Sequence, residues 1–154
     1  MKLRLITTIF FISLYSCNKI GFTTAPQLKF ESVNTTFLSK GENLIFTLAF
    51  SDKEGDLADS LPTVMWVEKK IISSCIADTS LGYYPSAFFF DQQFVSGTID
   101  VRYTYGTNGP YPIVGDPSCP DVNDTCIYRF VLKDRAGNTS DTVESPIVVI
   151  KKNN

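Results

Sequence analysis

The chain of 154 residues contains no histidine. That absence removes the commonest general base, proton shuttle and transition-metal ligand, and with it Ser-His-Asp chemistry and the usual zinc sites. Clustered basic residues are missing as well. The pairs Lys69-Lys70 and Lys151-Lys152 stand alone, so no stripe of cations can track a phosphate backbone and nucleic acid is not an expected partner. No segment holds a 3.6-residue period for long, which predicts helices that are short or missing. The longest apolar run, from Leu5 to Tyr15, is too short to cross a bilayer as a permanent helix. It follows Lys2 and Arg4 and gives way to the polar CNKIGFTTAPQ, which is the layout of an export signal. Cleavage after residue 16 would remove two of 14 basic residues and none of 16 acidic ones, leaving 12 against 16 and a net charge of −4. The remainder, roughly 140 residues, suits one domain with a real core.

What is present is alternation. LKFES at 28–32 places Leu28 and Phe30 on one face, and NLIFTLAF at 43–50 does the same with Leu44, Phe46, Leu48 and Phe50. TVMWVEK at 63–69, GTIDVRYTY at 97–105, CIYRFVLKD at 126–134 and PIVVIKK at 146–152 continue the series, and AFFFDQQF at 87–94 offers one more strand. Between them lie turn residues, including the loop from 106 to 125, dense in Gly, Pro, Asn and Asp. About seven strands, each with one apolar face, predict an all-β chain folded as two stacked antiparallel sheets over residues 28–152, preceded by a flexible tether at 17–27.

Two resemblances sharpen this reading. Leu14, Tyr15, Ser16 and Cys17 resemble a bacterial lipobox, although Tyr15 is larger than the side chain usual at its place. The resemblance implies that residues 1–16 are removed, that Cys17 is acylated, and that the protein sits in the bacterial envelope at the outer membrane. Two or more acyl chains on one residue make such attachment stable. The alternative is an ordinary secretory signal that leaves Cys17 as a thiol or disulfide partner. FTLAFSDKEGDLAD and FVLKDRAGNTSDTVESPIVVI resemble the second strand and the last two strands of immunoglobulin-like domains in cell-surface lipoproteins of Bacteroidota. Trp66 matches their core tryptophan position, whereas the second strand has no cysteine for an inter-sheet disulfide.

In an immunoglobulin-like order the turns after 43–50 and after 126–134 share one end. Asp52, Glu54, Asp56 and Asp59 then approach Asp134. Calcium takes six to eight oxygens, and a glycine such as Gly55 lets a chain wrap around the ion. Asn138 could add its amide oxygen. The spacing is not that of an EF-hand, and the competing reading is a solvated turn in which Asp, Gly and Asn stop the strands.

Cys75, Cys119 and Cys126 are expected at the opposite end, where export favours a bridge. Closing the short loop between Cys119 and Cys126 is the preferred pairing, with Cys75 as partner to either in the alternative. Without histidine, none of these is expected to be a catalytic nucleophile. Tyr83 and Tyr84, beside Phe88, Phe89 and Phe90, could stack on sugars, against the competing reading of core or edge-covering rings. No carboxylate pair stands out for glycoside hydrolysis. The sequence therefore predicts a non-enzymatic module for interaction or adhesion with a protein or glycan, and the alternative is a carbohydrate-binding component of a surface glycan-uptake system.

Overall fold

Every strand expected from clean alternation in the described part of the chain is present. The computed structural model describes residues 24–57, 65–72, 80–83, 95–106, 111–117, 119 and 121–152, with the backbone alone at 65, 66, 69, 70 and 80–83. The strands are β1 (Gln27–Val33), β2 (Phe37–Leu38), β3 (Asn43–Ser51), β4 (Met65–Ile71) and β5 (Ser80–Tyr83), then β6 (Ser96–Tyr105), β7 (Ile113–Val114), β8 (Asp124–Leu132), β9 (Val143–Glu144) and β10 (Val148–Ile150). No helix occurs among the described residues. One sheet runs β1-β3-β6-β7 and the other β2-β10-β8-β4-β5, with β9 also against β8. Consecutive strands β3 and β4 thus lie in different sheets, and each pairs with a strand distant in sequence, β6 and β8, as in an immunoglobulin-like sandwich. The candidate strand at 87–94 and the side chain of Trp66 lie outside the described residues.

The strands form because their two faces differ. In β8, Cys126, Tyr128, Phe130 and Leu132 are buried while Thr125, Ile127, Arg129 and Val131 are half-buried on the outer face. Leu44, Phe46 and Leu48 of β3 and Ile99 and Val101 of β6 meet this row from the other sheet. Phe46 packs at 4.8 Å from the Tyr128 ring and 5.2 Å from Phe130, with Tyr103 edge-on at 6.4 Å. Such tilted ring pairs add roughly 0.5–1.5 kcal/mol each to the burial of their area.

Two features depart from the expected antiparallel pattern. Both sheets end in a parallel pair, β6 with β7 and β10 with β2, so each sheet is mixed. The strand number is also higher, because β2, β7 and β9 are two-residue edge pieces. Two residues cannot register as an alternation, and the direction of β2 follows from the chain crossing from the first sheet to the second. Asn34 marks the first crossing: its Oδ1 accepts from the Ile45 N–H at 2.7 Å and its Nδ2 donates to the Asn43 carbonyl at 2.9 Å. These bonds close the β1 ladder, and three residues later Phe37 is paired with Val149 in the other sheet.

The pairing also fixes the ends. Gln27 lies opposite Ser51, the residue before Asp52, and β8 runs from Asp124 toward Asp134. The start of β1, the turn after β3 and the turn after β8 therefore share one end, which the sequence predicts for the two turns. The start of β8 marks the other end, about 30 Å away along nine residues of strand.

Candidate metal centre

Two glycine-bearing turns build the acidic end. After β3, Asp52 is 2% exposed, and its N–H donates to the Val95 carbonyl at 2.8 Å. Gly55 adopts φ 65°, a left-handed conformation that strains any residue with a Cβ, and folds the chain back so that the Asp56 N–H donates to Asp52 Oδ2 at 2.9 Å. Leu57, buried in the core, anchors the returning chain. After β8, Asp134 accepts the Asn138 N–H on Oδ1 and the Asn138 side-chain N–H on Oδ2, both at 2.7 Å. The Asp134 N–H donates in turn to the Asn138 carbonyl at 2.9 Å, and Gly137, at φ 94°, makes the tight turn between them possible. The two turns touch where the Arg135 N–H meets the Asp56 carbonyl at 3.3 Å.

This brings one carboxylate oxygen each from Asp52, Asp56 and Asp134 within 4.8 Å of one another. Asp52 Oδ1 and Asp56 Oδ1 are buried and accept no hydrogen bond. Burial raises the Asp52 carboxyl above its ordinary value; the Asp56 N–H opposes this, and the nearby Asp56 and Glu54 carboxylates reinforce it. Of the candidate ligands, then, three converge. Glu54 is exposed on the same turn and stands outside the group, and Asp59 lies outside the described residues. Asn138 is adjacent, but it turns its amide nitrogen toward Asp134 and positions that carboxylate.

The cysteine pairing differs from the preferred expectation. Cys119 is disulfide-bonded, whereas Cys126 keeps its thiol and is buried, so the two are not joined. Cys126 is in phase with Tyr128, Phe130 and Leu132 on β8 and faces between the sheets, away from the loop. The partner of Cys119 lies outside the described residues, as do Cys75 and Cys17. Tyr83 ends β5, its side chain undescribed, and Tyr84 also lies outside.

Two polar groupings on the outer faces were not anticipated. On the second sheet, Arg129 Nε donates to Glu144 Oε1 at 2.8 Å, and its Nη1 lies 3.5 Å from Glu68. With Val131 and Thr142 these residues line a shallow cleft of about 420 Å³. On the first sheet, Asp100 accepts from Thr47 and Arg102, both at 2.9 Å, and Arg102 also reaches the Tyr111 hydroxyl at 3.1 Å. The signal was an outward charge on each strand, but pairing those charges needs the register, for example Glu68 opposite Arg129 opposite Glu144.

No family model matches the chain, and no curated protein matches it. Among solved structures it is similar to the sporulation control protein Spo0M from Bacillus subtilis, at TM-score 0.46 and 8% identity, over 84% of this chain and 50% of that one. It is also similar to part of a β-glucosidase from Listeria innocua, at TM-score 0.35 and 16% identity, over 81% of this chain and 16% of the enzyme. The chain thus spans half the length of the first and a small part of the second.

Proposed function

We propose that the protein is exported, held in the bacterial envelope by a lipid on Cys17, and displays its sandwich as a non-enzymatic binding module. The observation that supports this reading best is the entry point of the chain: β1 begins at Gln27, opposite Ser51, only ten residues after Cys17. Ten residues tie the start of β1 to the anchor, so the acidic end is the tethered one and the end near Asp121 and Val122 lies farther from the membrane on average. The outer face of the second sheet, with its cleft around Arg129, is then open to a partner from the side. Glu68 and Glu144 both pair with the same guanidinium, an arrangement that suits polar contact with a surface.

Metabolic labelling with a fatty-acid analogue tests the anchor. The reading expects label on the wild-type chain and none on Cys17→Ala, with the variant leaving the membrane fraction. An unlabelled wild-type chain, or a Cys17→Ala chain that stays with membranes, overturns it. Retention of the purified chain on an insoluble polysaccharide would replace the general binding role with the glycan-binding one.

A further inference from the structure

We infer that the end of the sandwich formed by Asp52, Asp56 and Asp134 is a binding site for one hard divalent cation, with calcium its best-suited occupant. The inference stands apart from the lipid anchor and rests on two independent observations. Three carboxylates from turns 78 residues apart in sequence, at Asp56 and Asp134, bring oxygens within 4.8 Å of one another. Separately, Asp52 is 2% exposed, and its Oδ1 is buried with no hydrogen bond, as is Asp56 Oδ1. A buried carboxylate oxygen without a donor forfeits its hydration and gains nothing in return. A cation seated among the three replaces that hydration and cancels the repulsion between them.

The chemistry of the donors selects the class of ion. All three are carboxylates, with no imidazole in the chain and no thiol in the group, so soft and borderline metals gain little. Three carboxylates supply half or less of the six to eight oxygens calcium takes, and water or carbonyls complete the set. Magnesium demands a tighter octahedron of shorter bonds and holds its own waters more firmly, so it is the weaker occupant. The surrounding hydrogen bonds already hold the donors in place. Asp134 is clamped by two bonds from Asn138, and Asp52 Oδ2 is held by the Asp56 N–H, which leaves Oδ1 to the ion.

The location gives the ion a consequence. Asn138 Nδ2 also lies 3.5 Å from the Thr24 carbonyl, at the point where the chain enters β1. Occupancy therefore tightens the turn against which the first residues of the domain rest. A calcium-dependent module would be firm at this entry point in the millimolar calcium typical of extracellular sites and looser without it.

Thermal unfolding of the full chain, purified in detergent, tests the inference with calcium chloride, magnesium chloride or EGTA. At calcium about ten times its dissociation constant, the midpoint should rise by about 3–5 °C over EGTA, and magnesium should give less. The shift should vanish in Asp52→Asn and in Asp134→Asn. Calorimetric titration of the wild-type chain with calcium should give one site per chain, a readout that survives if either variant fails to fold. Identical wild-type curves in calcium and EGTA, a titration without heat, or a calcium shift that persists in both variants would overturn the proposal.

Discussion

At the scale of single residues, the buried polar atoms without a hydrogen-bond partner among the described residues are informative. Tyr128 is buried against Phe46, and its hydroxyl makes no hydrogen bond. Burial, with the Cys126 thiol and the Tyr103 hydroxyl nearby, pushes that phenol well above its ordinary value. Removing a buried hydroxyl that lacks a partner relieves a desolvation cost, so Tyr128→Phe should stabilise the fold by about 1 kcal/mol in urea unfolding. A loss of stability would show that the hydroxyl has a use. Asp100 is the opposite case. The Arg102 guanidinium, aided by the Thr47 hydroxyl, holds its carboxyl below the ordinary value against a smaller opposing effect of burial. A depressed folded value means that this contribution is complete above the unfolded value of about 3.9 and is lost as pH falls through the folded one. The stability of wild type relative to Asp100→Asn should thus shrink on acidification below about pH 4, and an unchanged difference would contradict the assignment. The pair is half-exposed and screened by salt, so the effect is small.

At the scale of elements, β8 organises the second sheet, and its partners on one side are fragments. β10 covers residues 124–126 and β9 covers 129–130, so part of the ladder would be left open. Two serines fill the gaps. The Ser145 hydroxyl accepts from the Tyr128 N–H at 3.0 Å and the Ser140 hydroxyl from the Leu132 N–H at 2.9 Å, each donating onward to a neighbouring carbonyl. Both serines are buried. Ser145→Ala should therefore strand a buried N–H and cost about 1–3 kcal/mol, whereas replacing the exposed Thr139 nearby should change stability by less than about 0.5 kcal/mol. Equal effects in denaturant titration would contradict the role given to Ser145. Serines that act as ladder partners leave no periodic trace, which is why this edge was not legible in the sequence.

The long strands were legible for the opposite reason. Leu44, Phe46 and Leu48 repeat every second residue because one face of β3 is dry and the other wet, and their register partners Tyr103, Val101 and Ile99 repeat in step. The convergence of Asp52 and Asp56 with Asp134 followed from strand direction alone. Glu54, exposed on the same turn, stands outside this group of three, and composition does not say which side chains of a turn point inward. The position of Cys126 within its strand is legible in the sequence. It shares the phase of Tyr128 and Phe130, and a cysteine committed to the core cannot also staple a surface loop.

At the scale of the whole molecule, the sandwich is polar along its length: its chain entry and acidic turns lie at one end, and the start of β8 at the other. If Cys17 is acylated, the sequence leaves Cys75 as the partner of Cys119. Digestion without reduction should then yield a peptide joining those two residues, and a Cys17–Cys119 peptide would contradict the lipid anchor. The same reading makes an orientation claim that can be measured directly. In proteoliposomes holding the lipidated protein, a fluorophore at Glu54→Cys should transfer energy to a membrane-surface dye more efficiently than one at Val122→Cys, because about 30 Å of strand separates the two ends. Greater transfer from position 54 is the predicted result. Equal transfer from both positions, or greater transfer from position 122, would contradict an envelope module hung from its acidic end.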